Sequence, residues 1–224
     1  MQHHSYTIPN SGKARNGDHL LVKDFNEEKI LVALVADGVG GQPCDWKASE
    51  MACEHFLFSF QYALSDNLLD RIHDSINDTN IEILSEISEE CMGMASTLSV
   101  MVWPYETDQF CWCSIGDSRI YKVDHATVNC ISKDDTVSHS GKQSLTEYLG
   151  KNNLKFHISE ENIEQGALIL LCSDGFYTAR KASMNQKLIE LSRAADFEAA
   201  FHELTKNFAM LRGDDFTVVA VRKG

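Results

Sequence analysis

Two long helical stretches interrupt a series of strands, and this order constrains the fold of the 224-residue chain more than any other feature. Residues 46–64 and 68–88 carry apolar side chains at helical spacing, and a second helical block covers about residues 184–208. Short apolar or alternating runs predict strands at residues 19–22, 29–36, 96–103, 109–114, 119–123, 167–172 and 216–221. Strands joined by short turns pair antiparallel, and grouped helices cover the faces of the sheets. The sequence therefore predicts an α+β sandwich, formed as a single domain over residues 1–224.

Six aspartates stand at the ends of these strands or in the turns beside them, mostly next to glycine: Asp18, Asp37, Asp117, Asp174, Asp214 and Asp215. A single Asp-Gly pair would predict only a turn, because both residues favour turn conformations. A carboxylate at the mouth of a sheet is costly to desolvate unless a cation or a donor lies beside it. The set therefore predicts an oxygen cage for Mg²⁺ or Mn²⁺, to which the carbonyl of Gly38 can add a ligand.

The formal net charge of −13 makes nucleic acid an unsuitable partner, because phosphate backbones require a basic surface. No apolar run reaches the roughly 20 residues of a membrane helix, and the first residues lack the features of a signal peptide. These observations predict a cytoplasmic protein with no membrane partner. They also predict that the seven cysteines are reduced thiols.

The aspartates lie within seven short blocks that occur in a fixed order along the chain. The blocks are residues 16–18, 35–41, 95–97, 114–121, 149–150, 171–175 and 213–219. With these blocks in this order, the chain resembles the metal-dependent protein phosphatases of type 2C. The resemblance implies a four-layer α-β-β-α sandwich with two central antiparallel sheets.

The resemblance also implies a dinuclear Mn²⁺ or Mg²⁺ centre at one end of the sandwich. Asp37 would bridge the two ions, and Asp174 and Asp214 would complete the shell of the first. The carbonyl of Gly38 would bind the second ion, and Asp18 would contact the metal-bound water. In bacterial members the position of Asp117 holds a third, looser ion.

The activity implied is hydrolysis of phosphoserine and phosphothreonine by direct attack of a metal-bridging hydroxide, with Asp18, Asp37, Asp174 and Asp214 as the catalytic residues. The implied partner is a phosphorylated protein substrate, in opposition to a serine/threonine kinase, and the expected state is a monomer. Two alternatives remain open at this point. One is an inactive pseudophosphatase that binds phosphoproteins, and the other is a phosphatase of small phosphorylated metabolites.

The sequence departs from the family pattern around the first block. An arginine that grips the substrate phosphate is usual five residues before the position of Asp18, but Lys13 stands there and Arg15 lies two residues closer. Either side chain can serve, although only arginine forms a bidentate fork with phosphate. Gly17 replaces an acidic or amide residue, which predicts a weaker second metal site. Val39 stands where many animal members have a histidine.

The flap of the family is shortened here to about residues 132–149. It contains His139, which either replaces the missing proton donor or is a solvated loop histidine.

Overall fold

The computed structural model describes residues 1–124, 126–139, 141–179 and 183–224, with only the backbone of Lys142. The strands are β1 Gln2–Ile8, β2 Asp18–Phe25, β3 Ile30–Asp37, β4 Leu98–Pro104, β5 Gln109–Ile115, β6 Arg119–Val123, β7 Val128–Cys130, β8 Thr136–His139, β9 Lys142–Leu145, β10 Ser159–Asn162, β11 Leu168–Cys172 and β12 Phe216–Arg222. The helices are α1 Asp45–Tyr62, α2 Leu68–Ser85, α3 Asp174–Thr178, α4 Met184–Arg193 and α5 Phe197–Ala209.

Two antiparallel sheets form the centre of the molecule. The first has the strand order β1-β12-β11-β6-β7, and the second has the order β10-β5-β4-β3-β2. Strands β8 and β9 form a separate hairpin within the segment predicted as a shortened flap.

Three apolar cores separate four layers. One core lies between the second sheet and helices α1 and α2, one lies between the two sheets, and one lies between the first sheet and helices α3 to α5. Strand β3 shows how the sequence encodes this arrangement. Leu31 and Val35 belong to the core between the sheets, while Val32 and Leu34 belong to the core under the helices. A strand that is buried on both faces reads as a continuous apolar run. The predicted α+β fold, a four-layer sandwich with two central antiparallel sheets, is confirmed.

Several element bounds differ from the prediction. Helices α1 and α2 end two and three residues before the predicted positions, and α2 begins after Asn67, whose side chain accepts hydrogen bonds from the N–H groups of Leu69 and Asp70. Strand β1 was not predicted, because it is an edge strand whose exposed and half-buried side chains are largely polar. The helical block at residues 184–208 forms two helices, α4 and α5, as the order of elements in the sequence predicted.

The prediction that all the cysteines are reduced is wrong for one pair. Cys44 and Cys91 form a disulfide across 47 residues of sequence, whereas the other five cysteines are free thiols. Because α1 and α2 pack against each other as a hairpin, the residue before α1 lies near the segment that follows α2. The Cα atoms of the two cysteines are 5.4 Å apart. This proximity depends on the tertiary fold and has no signal in the spacing of the cysteines.

Among the helices formed by the described residues, none combines the length and the apolar character that crossing a bilayer requires.

Candidate active site

Two of the predicted aspartates meet at one end of the second sheet. Asp18 begins β2 and Asp37 ends β3, and the antiparallel register places them directly opposite each other. Thr97 fixes the end of β3, since the N–H of Asp37 donates to its Oγ1 over 2.9 Å and its own N–H donates to the Asp37 carbonyl over 2.8 Å. The sequence prediction that strand ends gather these carboxylates is therefore correct for this pair.

The first sheet brings its own aspartates to the same end of the molecule. Asp174 follows β11 and opens helix α3, and Asp214 lies just before β12. Ser173 joins the two sheets here, because its Oγ donates to Oδ2 of Asp18 over 2.6 Å while its N–H donates to the Thr217 carbonyl. The side chain of Asp214 is about half exposed, at 53%.

The carboxylates influence one another strongly. Burial raises the pKa of Asp37 well above its ordinary value, and the charges of Asp18, Asp174 and Asp117 raise it further. Burial raises the pKa of Asp174 to about 6, and the negative charges of Asp214 and Asp117 contribute to this increase. The five aspartates expected to act at a metal centre, Asp18, Asp37, Asp117, Asp174 and Asp214, thus lie close enough together to share one electrostatic environment.

Asp18 is the most informative member of the group. Burial raises its pKa to about 7, against the opposing hydrogen bonds from Ser173 and Thr217, and the charge of Asp215 adds to the increase. Its Oδ1 atom is buried and has no hydrogen-bond partner in the part of the chain that the structure describes. A buried carboxylate oxygen without a donor is costly, and such an oxygen suits a hard cation.

Asp117 lies in the turn between β5 and β6, as predicted. Burial raises its pKa, and the charge of Asp134 raises it further. The Tyr177 hydroxyl donates to the Asp117 carbonyl over 3.1 Å. Arg119 holds the neighbouring segment through two hydrogen bonds to the carboxylate of Asp134, at 2.9 and 2.7 Å, and its guanidinium stacks over Tyr177. The turn is therefore fixed from both sides.

Oxygen donors of this kind fit Mg²⁺ or Mn²⁺, which prefer carboxylate and carbonyl ligands. The carboxylate of Asp37 is buried and is repelled by its acidic neighbours, and Oδ1 of Asp18 has no hydrogen-bond partner among the described residues. A bound cation would compensate both. Within the described ranges, however, no three His, Cys, Asp or Glu side chains are already grouped as ligands of one ion. The donor set fits the metal in type and in general location, and binding would have to draw the carboxylates closer together.

Two glycines allow the close backbone packing around this group. A Cβ atom on Gly38 would lie 2.1 Å from the carbonyl oxygen of Asp45, and one on Gly175 would lie 1.8 Å from the carbonyl oxygen of Asp215. No side chain can occupy either position without displacing the neighbouring backbone. The glycines that follow Asp37 and Asp174 in the sequence are therefore required by close packing, since neither has the left-handed backbone conformation that favours glycine.

The two candidate phosphate-binding residues differ in their surroundings. Lys13 donates to Oδ2 of Asp215 over 2.7 Å and lies 3.5 Å from Oδ1 of Asp214. Arg15 stacks over the ring of Trp46 at 4.1 Å and has no ion pair with any carboxylate of the described residues. Arg15 and Trp46 line an open cavity together with Asp18.

Sequence reasoning missed two side chains at this site. Asp215 was noted beside Asp214 but received no role, although it is only 3% exposed and binds Lys13. Trp46 lies in the first turn of helix α1 and had no signal beyond its helical spacing. His139, which the sequence suggested as a proton donor, is exposed in the β8–β9 hairpin. Its role as a proton donor stays a prediction.

Comparisons with known proteins agree with this description. Residues 10–213 match the family model of protein phosphatase 2C. The serine/threonine phosphatase stp of Listeria innocua is 26% identical over 223 residues, covering 88% of this chain and 86% of that protein. The Mycobacterium tuberculosis serine/threonine phosphatase PstP/Ppp has 20% sequence identity and a TM-score of 0.82 over 100% of this chain and 99% of its own. A structure of the catalytic domain of PstP in complex with two manganese ions has 19% identity and a TM-score of 0.80, covering 100% and 98% of the two chains.

Proposed function

This chain belongs to the protein phosphatase 2C family, and from that premise we infer that it is a metal-dependent serine/threonine protein phosphatase. The observation that best supports the inference is the group of buried strand-end aspartates, whose pKa values are raised by burial and by one another. Such a group is destabilising without a cation, because each charge is desolvated and faces like charges. A scaffold that only bound phosphoproteins would have no use for it, so the inactive alternative is not favoured.

We propose the following roles for the site residues. Asp37 would serve both ions, and Asp174 and Asp214 would complete the ligands of the first. The carbonyl of Gly38 would hold the second ion, and Asp18 would orient a water molecule through its unpartnered Oδ1. Asp117 would hold a third ion, in keeping with the effect of its charge on Asp37 and Asp174.

The ions are proposed to be two Mn²⁺ or Mg²⁺, with the third held more loosely. When bound, two such ions would lower the pKa of a bound water molecule and so supply hydroxide near neutral pH for direct attack on the phosphate ester. The carboxylates hold this centre at the mouth of the two sheets. The burial of Asp18 strengthens its electrostatic contacts there, whereas the side chain of Asp214 is about half exposed.

Arg15 is proposed to bind the substrate phosphate. Its planar guanidinium can form two parallel hydrogen bonds with phosphate oxygens. The stacking on Trp46 holds that group beside the cavity that Asp18 lines. Since Arg15 has no carboxylate partner among the described residues, its donors are free for an anion.

The substrate is proposed to be a phosphorylated protein whose phosphate is added by an opposing serine/threonine kinase. A monomer is proposed as the working state. A single domain over residues 1–224 is supported by the pairing of β1 with β12, which joins the two ends of the chain in one sheet.

The cytoplasmic location that the sequence predicts is also a proposal. The disulfide between Cys44 and Cys91 weighs against it, because reducing compartments rarely preserve such bonds. Alkylation of the protein at the moment of cell lysis, followed by mass spectrometry, decides whether the two thiols are oxidised in the cell.

The function is tested by the hydrolysis of p-nitrophenyl phosphate and of a phosphothreonine peptide, with Mn²⁺ or with EDTA. We expect turnover that depends on Mn²⁺ and that Asp174→Asn reduces at least a hundredfold. Asp66→Asn, which changes an exposed aspartate between α1 and α2, is the matched control and should leave the rate unchanged. A folded wild-type protein that hydrolyses neither substrate with any divalent ion would overturn the proposal. Turnover of a small phosphorylated metabolite far above that of the peptide would favour the metabolite alternative.

A further inference from the structure

Asp215 is a buried carboxylate that the proposed chemistry does not use. It stands just before β12 and is 3% exposed. Its Oδ1 accepts a hydrogen bond from the N–H of Asn10 over 2.7 Å. Its Oδ2 accepts from the N–H of Gly17 over 2.8 Å and from the ammonium group of Lys13 over 2.7 Å. All three donors belong to residues 9–17, which we call the N-terminal segment.

Further contacts join the N-terminal segment to the residues around Asp215. The side-chain amide of Asn10 donates to the carbonyl of Gly213 over 2.9 Å. Arg212 donates through Nε and Nη2 to the carbonyl of Pro9, at 3.2 and 3.1 Å. Both contacts involve neutral carbonyl acceptors, and both lie at the start of the N-terminal segment. The contacts of Asp215 differ, because its acceptor is a buried carboxylate and because they extend to Gly17 at the end of the segment.

The position of the N-terminal segment decides the position of two residues of the proposed mechanism. Arg15 lies within the segment, and Asp18 follows it directly. The carbonyl of Gly17 also accepts the N–H of Gly38 over 2.9 Å, so the segment contacts the turn after β3. A shift of the segment would therefore move the phosphate-binding group and the metal-side carboxylate together.

The three donors explain why a carboxylate stands at this position. Each oxygen of Asp215 accepts from a backbone N–H, and Oδ2 accepts from Lys13 in addition. An amide of the same shape would turn its NH₂ group toward one of those N–H groups and leave a buried donor unsatisfied. A buried carboxylate in turn needs a counter-ion, and Lys13 supplies it.

We propose that Asp215 is a positioning residue for phosphate ester hydrolysis, and that Lys13 acts through Asp215 as its counter-ion and does not bind the substrate phosphate. The structural part of this proposal is that Asp215, paired with Lys13, holds the N-terminal segment in place. The kinetic part is that this contact supports hydrolysis and that Lys13 does not bind phosphate. Only the kinetic part rests on the proposed function. Two experiments separate the parts.

The first experiment measures trypsin cleavage after Lys13 and Arg15 in the folded protein with Mn²⁺ present. In Asp215→Asn we expect cleavage within the N-terminal segment to be at least tenfold faster than in wild type. Glu161→Gln, which breaks a lysine–carboxylate pair between Lys122 and Glu161 outside this region, should leave the rate unchanged. If Asp215→Asn does not fold, Lys13→Met should show faster cleavage after Arg15. Equal cleavage rates in wild type and in these variants would overturn the structural part, whether or not the protein is active.

The second experiment is a double-mutant cycle on p-nitrophenyl phosphate hydrolysis, with inorganic phosphate as the product inhibitor. We expect Arg15→Met to raise the Ki of phosphate at least tenfold, and Lys13→Met to raise it no more than Asp215→Asn does, because these two changes affect phosphate binding only by loosening the N-terminal segment. The variant with both Lys13→Met and Asp215→Asn should have the same kcat/KM as Asp215→Asn within twofold, because the contact of Lys13 with Asp215 at 2.7 Å is much closer than its contact with Asp214 at 3.5 Å. A tenfold rise in KM and Ki from Lys13→Met in both backgrounds would show that Lys13 binds phosphate and would overturn the proposal. A wild type without any Mn²⁺-dependent hydrolysis would refute the proposed function and the kinetic part, and the trypsin comparison would still decide the structural part.

Discussion

Without divalent ions, the free energy of unfolding of the protein should fall as the pH rises. Asp18→Asn should remove much of this pH dependence. Burial raises the pKa of Asp18 from its ordinary 3.8 to about 7 in the folded state. A raised folded-state pKa means that the native protein holds this proton more tightly than the unfolded chain does. The associated stability is complete below about pH 4, and it is lost progressively as the pH rises to about 7.

The magnitude follows from the size of the shift. A change from 3.8 to about 7 is roughly three pKa units, and each unit corresponds to about 1.36 kcal/mol. Ionisation of Asp18 should therefore cost the metal-free protein up to about 4 kcal/mol in the free energy of unfolding, which is a large part of the roughly 5–15 kcal/mol that holds most proteins folded. Asparagine resembles the protonated carboxyl and carries no such cost. In EDTA, Asp18→Asn should match wild type near pH 4 and exceed its stability above pH 7 by up to about 4 kcal/mol.

The assay is urea unfolding followed by the fluorescence of the three tryptophans, at several pH values between 4 and 8. Added Mn²⁺ should reverse the order at pH 8, because the ion stabilises the ionised carboxylate and Asp18→Asn weakens its binding. Asp66→Asn controls for the general effect of removing one acidic side chain. Wild type that is as stable as Asp18→Asn in EDTA at pH 8, or a difference that does not grow with pH, would refute the reasoning.

Three further predictions concern the phosphate group, the disulfide and a close backbone contact. Arg15→Met should raise the KM for p-nitrophenyl phosphate at least tenfold with little change in kcat, and Arg15→Lys should recover part of the loss, since a lysine binds phosphate only as a point charge; an unchanged KM in steady-state kinetics would contradict the assignment. Reduction of the Cys44–Cys91 disulfide, or replacement of both cysteines by serine, should lower the free energy of unfolding by about 4 kcal/mol for a loop of 47 residues; equal denaturation midpoints with and without a dithiol reductant would contradict this. Gly175→Ala places a Cβ atom 1.8 Å from a backbone oxygen and should lower both the melting temperature, by several degrees, and the activity. Gly213→Ala places its Cβ atom in open space and should behave as wild type. Similar melting temperatures for the two variants would show that the contact relaxes easily.

The sequence predicted the fold and the positions of the strand-end aspartates because both have local signals. Asp37 and Asp174 each end a run of apolar residues, and such a run is a strand buried on both faces. An aspartate at that boundary is recognisable without knowledge of the neighbouring strands. The pairing of Asp18 with Asp37 then follows from the register of two strands joined by a short turn.

The features that the sequence did not predict depend on contacts between distant segments. Asp214 and Asp215 are adjacent, and only the packing against the N-terminal segment makes one half exposed and the other buried. The same is true of Trp46, which meets Arg15 across the start of helix α1. The disulfide between Cys44 and Cys91 likewise requires the helical hairpin to form before the two residues are neighbours. Local patterns carry no information on such contacts.

The place of β12 inside the first sheet has a consequence for how the protein reaches its structure. This strand lies between β1 and β11, and its register with β1 pairs residues more than 200 positions apart, such as Gln2 with Arg222. Before β12 inserts, β1 has no partner and β11 has one open edge, so both expose unpaired backbone groups that can join a neighbouring chain. Pairings of such large sequence separation are slow to form, because the loop must close before any contact compensates the lost entropy. Aggregation during refolding should therefore compete with this one insertion step, and dilution of the chain should favour the native product.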